Sequence, residues 1–410
     1  MAKIMKATEM TNVNQMMKAT EIKKVAIIGG KLQGLEAVYL ASKAGIESTL
    51  IDKDEQALAR NLCTRFICED ILDRSPFLIS ELQKVDFILP ALENEEVLIA
   101  LVEISEKYGF KLAFDLAAYQ ISSSKLLSDQ LMQAHHIPAP KYYPNCEPPY
   151  IVKPSAESGS TGVVYVDHAK GLKELLNRIP TEEQWVIQEY ISGKAYSIEI
   201  IGRPGNYRTY EITELFMDDI YDCMRVEAPC EISPELSESF AKIAQKLAEL
   251  VSLTGIMDVE VIHSKGELKV LEIDARLPSQ TPTVVYHASG INLVSELSDL
   301  FCLEELVKRP AEELVKRPTN EKKYVAYEHL LIDEGKVSGH GEHIISQAGP
   351  LAHYTNFFGA DEALTDYKPM AKTFLGTFIN TAKSPEELEI KRSTMFSALK
   401  QAELEALKRT

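Results

Sequence analysis

The segment 25–28 is an unbroken apolar run followed by two glycines, and it constrains the fold more than any other feature of the sequence. Such a run is typical of a strand that is buried on both faces, as in a parallel sheet. The glycines lead into a predicted helix, and predicted strands at 49–51 and 85–89 alternate with it and with a helix at 97–108. This alternation predicts an open, doubly wound parallel α/β domain over residues 24–120.

The pattern changes at residue 121, where paired strands replace the alternation. Predicted strands at 150–154 and 163–166 flank a loop that is rich in glycine and serine. Two further predicted strands, 257–263 and 267–274, form a hairpin. Because these are local strand pairs, the fold class is α/β and α+β, an open parallel domain followed by two α+β subdomains. The chain is divided into a flexible tail (1–23), the doubly wound domain (24–120), a small subdomain (121–200) and a large C-terminal region (201–410).

The charge of the chain limits the partners that it can bind. Asp and Glu number 61 against 44 Lys and Arg, which gives a formal net charge of −17 over 410 residues. Such a chain repels nucleic-acid phosphate and anionic membrane surfaces, so neither is a predicted partner. No segment approaches the ~20 consecutive apolar residues of a membrane span. The six cysteines show no C-x-x-C spacing, so we predict reduced thiols and a cytoplasmic location.

A glycine-rich loop, Gly29-Gly-Lys-Leu-Gln-Gly34, follows the first predicted strand. A dinucleotide-binding fingerprint needs glycine at the third position of this loop, because the pyrophosphate approaches the backbone there. Lys31 occupies that position, which disfavours NAD. The loop is then predicted to face a substrate or a phosphate at a helix N-terminus, and a simple strand-to-helix turn is the alternative.

Lys153 lies near the end of a predicted strand, and the loop Ser158-Gly-Ser-Thr-Gly162 follows it. Such a loop can present several backbone N–H groups to phosphate oxygens, and a lysine on the preceding strand can supply positive charge. It is not a Walker loop, since no Gly-Lys-Ser/Thr follows. Phosphate binding and an ordinary hairpin tip both stay open for this segment.

Four charged residues are predicted to share one face of the hairpin. Glu272, Asp274 and Arg276 alternate along one arm, and Glu260 lies on the other. Side chains two residues apart point to the same face of a strand, and cross-strand pairing can bring Glu260 beside them. Converging carboxylates repel one another, and oxygen ligands of this kind suit Mg²⁺. The alternative is a solvated strand face paired with lysines.

Together these motifs resemble those of the ATP-grasp ligases. In that family two lysines bind phosphates, a glycine-rich loop covers the triphosphate, a hinge hydrogen-bonds adenine, and a Glu…Glu-x-Asn-x-Arg set holds Mg²⁺ and the reacting oxygen. The resemblance implies ATP and Mg²⁺ as cofactors, an ATP-grasp fold for the two α+β subdomains, and catalytic roles for Arg276 and Lys153. The implied ATP-binding residues are Lys31, Lys125, Lys153, Ser158, Gly159, Ser160, Thr161, Gly162, Gln188, Glu189, Tyr190, Ile191 and Glu199, and the implied metal ligands are Glu260, Glu272 and Asp274.

The sequence departs from the family pattern at two places. Asp274 stands where the family has asparagine, which adds negative charge to the implied metal site. No acidic residue follows the hinge glycine, where the family holds the ribose, since Lys194 and Ala195 stand there. Glu199 is therefore the residue assigned to the ribose.

A longer set of segments is similar to the ligases of pyrrolysine biosynthesis within that superfamily, namely 29–34, 219–223, 255–260, 272–276 and 278–283. This resemblance covers nearly everything from residue 24 onward and implies an amide synthesis in two steps. ATP phosphorylates the carboxylate of 3-methyl-D-ornithine, and the ε-amine of L-lysine attacks the acyl phosphate. No covalent enzyme nucleophile is required, because positioning and the exclusion of water carry the catalysis.

Both substrates carry additional ammonium groups, so carboxylates are expected in their site. Glu93 and Asn94 follow a predicted strand at the edge where doubly wound sheets bind ligands, and they are assigned with Lys31 and Leu32 to the lysine side as a hypothesis. The other substrate candidates are Asp219, Asp222, Asp258, Arg276, Ser279, Gln280, Thr281 and Glu328. For each acid a solvated surface carboxylate is the alternative, and for residues 279–281 a capping or turn role.

Three other functions stay open at this stage. Another carboxylate–amine pair within the superfamily is one, as in D-alanine ligases or purine-pathway carboxylating synthetases, although the acids in 219–222 favour a diamino substrate. A nicotinamide oxidoreductase is the second, and Lys31 counts against it. A non-catalytic nucleotide sensor is the third, and the presence of both Glu272 and Arg276 favours an enzyme. A homodimer is a further prediction.

Overall fold

The computed structural model describes residues 23–155, 162–179, 184–303, 323–369 and 371–408. The predicted tail (1–23) apart from its last residue, and the predicted loop residues Ser158, Gly159, Ser160 and Thr161, lie outside these ranges. Within them the chain forms one parallel and two antiparallel sheets, which confirms the predicted fold class. Among the described residues no helix combines the length and the apolar character that a membrane crossing requires.

The N-terminal sheet is parallel and four-stranded, in the order β3–β2–β1–β4. Its strands are β1 (Lys24–Ile28), β2 (Glu47–Asp52), β3 (Arg65–Cys68) and β4 (Phe87–Pro90), and its helices are α1 (Leu32–Lys43), α2 (Pro76–Leu82) and α3 (Glu95–Tyr108). The apolar run 25–28 lies within β1, which pairs with β2 on one side and β4 on the other, so it is buried as expected. Because the strands are parallel, the loops after β1, β2 and β4 meet at one edge of the sheet.

The small layer is a three-stranded antiparallel sheet in the order β6–β5–β7. Its strands are β5 (Tyr150–Pro154), β6 (Val164–Val166) and β7 (Trp185–Glu189), and the helices of this part of the chain are α4 (Leu116–Ser122), α5 (Lys125–Ala134) and α6 (Ala169–Leu176). Val152, Val166 and Leu172 contribute to its separate buried core. The Ser124 side chain accepts a backbone N–H at the start of α5, which makes Lys125 the first residue of that helix.

The large sheet is antiparallel and ten-stranded, in the order β12–β11–β8–β9–β10–β13–β17–β16–β15, with β14 beside β13. Its strands are β8 (Lys194–Arg203), β9 (Asn206–Met217), β10 (Cys223–Ala228), β11 (Gly255–Ser264), β12 (Glu267–Asp274), β13 (Tyr324–Asp333), β14 (Lys336–Gly339), β15 (Ala352–Phe357), β16 (Ala360–Thr365) and β17 (Thr373–Ala382). The predicted hairpin is β11–β12. The domain division stays a prediction, and β8 continues across its boundary at residue 200.

The remaining helices are α7 (Pro234–Leu250), α8 (Thr281–Ser289), α9 (Leu293–Cys302), α10 (His343–Ser346) and α11 (Pro385–Lys408). The side chain of Ser233 caps the start of α7, and Phe240 and Leu247 on the apolar side of this helix share a buried core with Val259 and Ile273 of the large sheet. Side chains alternate along a strand, so the residues next to Val259 and Ile273 point to the opposite face. That face carries the candidate site.

Candidate active site

Five carboxylates lie on one face of three neighbouring strands, and this set is called the acidic face below. Glu199 is on β8, Asp258 and Glu260 are on β11, and Glu272 and Asp274 are on β12. Asp258 is paired in register with Asp274 and with Glu199. Glu260 is paired with Glu272. Directly paired residues have Cβ atoms roughly 5 Å apart, so the fold brings these carboxyl groups together.

The acidic face has more negative than positive charge. Burial, with Glu272 and Asp274 beside it, raises the pKa of Glu260 to about 8. Burial, with Glu272 adding to it, raises the pKa of Asp274 to about 7. Oδ1 of Asp258 is buried and has no hydrogen-bond partner among the described residues. Carboxylate oxygens in surplus are what a Mg²⁺ ion needs, so Glu260, Glu272 and Asp274 fit the metal-ligand role proposed for them.

Two lysines reach the acidic face from the small layer. Lys125 Nζ lies 2.8 Å from Glu272 Oε1, and Lys153 Nζ donates to the carbonyl oxygen of Leu271 at 3.4 Å. Burial lowers the pKa of Lys153, whereas for Lys125 the attraction of Glu272 outweighs burial and raises the pKa. Both lysines hold the pKa of Glu272 below its ordinary value despite burial. This cleft between the small layer and the acidic face can hold phosphates and a divalent cation together.

The segment predicted to bind adenine runs from β7 toward β8. Gln188 is buried on β7, and Tyr190 and Ile191 are half-buried beyond it. The Glu189 carboxylate is paired with Lys269 of β12 at 2.8 Å, which ties this segment to the large sheet. The Glu189 backbone N–H also donates to the Lys141 carbonyl oxygen at 2.8 Å, so neither this N–H nor the carboxylate is available for a ligand.

The described end of the predicted phosphate loop is Gly162. Its φ is +74°, in the left-handed region that favours glycine, and a Cβ added there would lie 2.8 Å from the Pro154 side chain. Gly162 therefore lies close to the end of β5, the strand that carries Lys153.

Glu199 is not placed to bind a ribose, and that assignment is wrong. The residue lies in the middle of β8 between β9 and β11, with 0 % of its surface exposed. Burial raises its pKa to about 7. A side chain without exposed surface cannot receive a hydroxyl group from a ligand in the cleft, so Glu199 belongs to the buried base of the acidic face.

Glu328 is also wrong as a substrate candidate. It is buried on β13, and its two carboxylate oxygens accept hydrogen bonds from Arg392 of α11 at 2.9 and 2.8 Å. This bidentate pair joins α11 to the large sheet and leaves the Glu328 carboxylate engaged away from the cleft.

Arg276 joins the cleft to a second space. Its Nη2 donates to Asp274 Oδ2 at 2.9 Å and lies 2.8 Å from Glu93 Oε1. Glu93 follows β4 of the N-terminal sheet and also accepts a hydrogen bond from Gln33 Nε2 at 2.6 Å. Arg276 therefore contacts one carboxylate of the acidic face and one of the N-terminal domain.

A cavity of about 650 Å³ opens beside Arg276, at the edge of the N-terminal sheet where the loops after β1, β2 and β4 meet. This volume falls within the roughly 300–1,000 Å³ of small-molecule sites. Among the predicted residues its lining contains Lys31, Leu32, Glu93, Asn94, Asp222, Arg276 and Ser279. It also contains charged and polar residues that the sequence analysis does not assign to the site individually, namely Gln33, Asp52, Lys53, Glu69, Asp70, Glu342, His343 and Ser346.

One wall of the cavity is formed by the predicted residue Ser279 and by Glu342. Ser279 Oγ and Gln280 Nε2 both donate to Glu342 Oε2, at 2.7 and 2.9 Å. Gln280 has a φ of +69°, which turns the chain sharply before α8. Gln280 and Thr281 are buried behind the wall rather than lining the cavity, so they are removed from direct substrate contact.

Helix α8, which starts behind this wall, is held by the N-terminal domain. Glu36 of α1 is buried, and its Oε1 accepts the backbone N–H of Thr283 at 2.5 Å. Burial raises the pKa of Glu36 to about 8. The first turn of α8 has no side-chain cap of its own, so Glu36 supplies the acceptor that a capping residue would.

Asp222 and His343 form another wall of the cavity. Asp222 is buried, and its Oδ2 lies 2.5 Å from His343 Nδ1 and accepts the His343 backbone N–H at 2.9 Å. Asp218 accepts the backbone N–H of Gly341 at 2.9 Å and so holds the same loop. Asp218, Asp222 and His343 are close enough to share a metal ion, although their carboxylates already accept these backbone hydrogen bonds. Asp219 is exposed and does not line the cavity, so the structure does not bring it together with Asp222 there, and its assignment stays a prediction.

Sequence reasoning missed Glu342 and His343. They end the run Gly339-His-Gly-Glu-His343, which follows β14. The available signal was the density of titratable residues between closely spaced glycines, which is typical of a functional loop rather than of a strand. Asp222 and His343 are 121 positions apart in the chain, so their contact depends on tertiary packing. No local sequence pattern indicates such a contact.

Comparison with known families and proteins adds a second line of argument. An ATP-grasp domain family matches residues 122–280, which contain the small layer, the acidic face and Arg276. The 3-methyl-D-ornithine–L-lysine ligase of Methanosarcina mazei is 38% identical over 382 residues, 92% of this chain and 96% of the relative. The ligase of the same name from Methanosarcina barkeri is 36% identical over 385 residues, 93% of this chain and 98% of the relative.

Solved structures share the fold at much lower identity. The biotin carboxylase of Campylobacter jejuni, in its complex with β-γ-ATP, superposes with a TM-score of 0.68 at 16% identity and covers 95% of both chains. An L-amino acid ligase from Bacillus licheniformis superposes with a TM-score of 0.66 at 16% identity, over 91% of this chain and 96% of its own. These two likenesses support the architecture alone.

Proposed function

Because the chain belongs to the ATP-grasp family that contains the 3-methyl-D-ornithine–L-lysine ligases, we propose that it joins 3-methyl-D-ornithine to L-lysine. The carboxylate of 3-methyl-D-ornithine receives the γ-phosphoryl group of ATP. The ε-amine of L-lysine then displaces phosphate, and the products are the amide, ADP and phosphate. This reaction belongs to pyrrolysine biosynthesis. A cytoplasmic location and a homodimer remain predictions for the protein.

The single observation that carries the proposal is the position of Arg276. It contacts Asp274 in the cleft and Glu93 at the cavity. A phosphoryl group held in the cleft and a carboxylate held in the cavity would meet at this guanidinium. An arginine at that point can bind the carboxylate in both half-reactions and stabilise the oxyanion that develops on it.

The cleft supplies the groups that phosphoryl transfer needs. Lys125 and Lys153 offset the charge of the phosphates, with the backbone of the predicted loop around Gly162 over them. Glu260, Glu272 and Asp274 would hold Mg²⁺, which when bound neutralises charge on the β- and γ-phosphates. The backbone of residues 188–191 would contact the adenine. No side chain of the protein is required as a nucleophile.

The cavity supplies carboxylates for two cationic substrates. Glu93, Asn94, Lys31 and Leu32 are proposed for lysine, at the edge of the N-terminal sheet. Asp222, Ser279 and Glu342 are proposed for the ornithine derivative, on the side of the cavity formed by the large domain. Carboxylates that are already fixed by hydrogen bonds lose little entropy on binding an ammonium group, which favours diamino substrates over neutral ones.

The test measures ADP release from ATP and Mg²⁺ with D-ornithine, with and without L-lysine, and follows the coupled product by mass spectrometry. We expect ADP release in step with a product of the mass of the amide. Glu272→Ala should abolish both signals. Glu267→Ala, which changes an exposed glutamate at the start of the same strand, is the matched control and should keep them.

Two outcomes would contradict the proposal in different ways. ADP release with other amino acids, and no amide from D-ornithine and lysine, would retain an ATP-grasp ligase and reject this substrate pair. No nucleotide turnover with any amine and carboxylate would reject the ligase altogether and favour a nucleotide sensor.

A further inference from the structure

The side-chain nitrogen of lysine must lose a proton before it can attack the acyl phosphate, and the proposed function names no group that accepts this proton. The ε-amine has an ordinary pKa of about 10.4, so at neutral pH only roughly one molecule in 10³ carries the neutral amine that can attack. Carboxylates in the cavity favour the charged form further. A group of the protein that accepts a proton from the bound ammonium would remove this barrier.

His343 has the geometry of such a group. Its Nδ1 is held by Asp222 Oδ2 at 2.5 Å, and its backbone N–H is held by the same oxygen at 2.9 Å. Asp222 is 4 % exposed, whereas the His343 side chain keeps 37 % of its surface and lines the cavity. A buried carboxylate on Nδ1 keeps the proton on that nitrogen and leaves Nε2 as an acceptor.

The other titratable residues that line the described cavity are poorer proton acceptors. Lys31, Lys53 and Arg276 are cations. Glu93 is paired with Arg276 and Gln33, and Glu342 accepts from Ser279 and Gln280. Asp52 accepts the backbone N–H of Gly30 at 2.6 Å, and Asp70 accepts that of Leu72 at 3.0 Å. Glu69 accepts from the Ser75 hydroxyl at 2.7 Å.

From this geometry we infer that His343 Nε2 is the base that deprotonates the attacking ε-ammonium of lysine, with Asp222 as its positioning residue. The inference rests on the proposed ligase function. The ammonium gives one proton to His343, the amine nitrogen forms the bond to the acyl carbon, and the bond from that carbon to the phosphate oxygen breaks. Phosphate leaves with the electron pair and takes the second proton of the nitrogen, and His343 returns its proton to water.

The charges around His343 suit this role. Asp218 and Asp222 face it from the loop between β9 and β10, and they stabilise the imidazolium that forms. On its own loop Glu342 precedes it, and the ring of His340 lies edge-on with its centroid 6.5 Å away. On β13, His329 is buried and bonded to Thr377, and burial lowers its pKa to about 3, so it adds no charge near neutral pH.

The test separates amine deprotonation from carboxylate activation by changing the nucleophile. Hydroxylamine is neutral at pH 7 and needs no base, so it traps the acyl phosphate of D-ornithine as a hydroxamate. For His343→Gln we expect hydroxamate formation within about twofold of the wild type and lysine coupling lower by ~10²–10³. Coupling by the variant should rise with pH toward the pKa of the lysine side chain, and it should depend on pH more steeply than coupling by the wild type.

A matched control and a second variant keep the test decisive. His340→Gln changes a half-buried histidine that precedes His343 by three residues and is bonded to Ser338, and it should couple lysine at the wild-type rate. Asp222→Asn should lower coupling in the same direction as His343→Gln, because the amide favours the wrong ring tautomer. Hydroxamate formation also reports that His343→Gln is folded and binds ATP. Because Asp222 is proposed to bind the ornithine derivative, Asp222→Asn is judged by its ratio of lysine coupling to hydroxamate formation.

Each result has a distinct meaning. Lysine coupling by His343→Gln at the wild-type rate would overturn the inference, and so would an equal loss of hydroxamate formation and coupling, which would make His343 a residue that only shapes the cavity. No hydroxamate from the wild-type enzyme would instead reject the proposed function. Selective loss of coupling with the altered pH profile would establish the base.

Discussion

The cleft and the cavity meet at Arg276, yet they are built in different ways. The cleft takes its groups from regular elements, with Glu260 on β11, Glu272 on β12 and Lys153 on β5. The cavity takes its groups from loops that lie far apart in the chain, around residues 31, 93, 222, 279 and 343. The difference separates two tasks, since phosphate and metal chemistry needs fixed geometry, whereas amino-acid selection changes with loop sequence.

Lys153→Met is expected to have the largest effect, because it removes a buried cation from the cleft. The charge of the transferred phosphoryl group is then not offset, and we expect ADP release and hydroxamate formation to fall by ~10²–10³ together with lysine coupling. Lys173→Met, which changes an exposed lysine on α6, should keep all three. A variant that lost coupling and kept hydroxamate formation would assign Lys153 to the cavity instead.

Arg276→Lys tests the junction of the two regions and should have the next largest effect. An ammonium group cannot replace a planar guanidinium that contacts both Asp274 and Glu93, so we expect kcat to fall by ~10² in both half-reactions. Steady-state ADP release and hydroxamate formation measure this. Arg74→Lys, at an exposed pair with Glu103, is the control. A loss restricted to one half-reaction would show that Arg276 serves one region only.

Glu93→Gln should affect the cavity and spare the cleft. Removing its charge weakens the binding of an ammonium group, and we expect the KM for lysine to rise ~10-fold while hydroxamate formation from D-ornithine stays within about twofold. Glu96→Gln, at an exposed position in the first turn of α3, provides the comparison. An unchanged KM for lysine together with a raised KM for D-ornithine would show that Glu93 binds D-ornithine, so that the two proposed substrate positions in the cavity are reversed.

Glu36→Gln tests the stability of the protein rather than its catalysis, because Glu36 holds the start of α8 behind the cavity wall. In the folded protein the pKa of Glu36 is about 8, above the ordinary 4.5, so the folded state keeps a proton that the unfolded state releases in this window. The contribution of this protonated carboxyl group to the free energy of unfolding is therefore present below pH 4.5 and is lost as pH rises through 8. The amide keeps an acceptor for the Thr283 N–H and does not titrate.

The measurement is the urea midpoint of wild type and variant across that pH window. We expect a smaller decline for Glu36→Gln than for the wild type, and no such difference for Glu47→Gln, which changes an exposed residue on β2. Identical pH profiles for wild type and Glu36→Gln would contradict the burial of this carboxyl group.

Glu328→Gln should have the smallest effect on activity, because Glu328 belongs to neither region. We expect wild-type kcat and KM values. The free energy of unfolding should fall by about 3 kcal/mol, because Arg392 loses its bidentate partner. A changed KM for either substrate would show that Glu328 contributes to substrate binding.

The sequence predicted the cleft better than the cavity for a physical reason. Glu272, Asp274 and Arg276 follow a period of two on one strand, and a hairpin with a short turn brings Glu260 to the same face. By contrast, the contact of Asp222 with His343 and that of Arg276 with Glu93 join residues 121 and 183 positions apart, and such contacts follow from tertiary packing alone.

The errors have the same origin. Glu199 is assigned from its place after the hinge and Glu328 as an acid that could face an ammonium group, and the sequence does not indicate what covers either side chain. Glu199 is covered by the start of α8, where Thr281 faces it, and Glu328 is covered because α11 supplies Arg392. Asp219 belongs to the same acidic loop, but it is Asp218 and Asp222 that accept hydrogen bonds from Gly341 and His343.

The residues that line the cavity come from distant parts of the chain, so they become available at different times during synthesis of the protein. A ribosome releases the segment 29–97 first, Asp222 and Arg276 much later, and the segment 342–346 last among the residues that line the cavity. Since the parts of a chain fold in the order in which they emerge, the cleft is complete while the chamber for amino acids still lacks one side. A growing chain thus contains every group of the cleft before it contains the segment that completes the cavity.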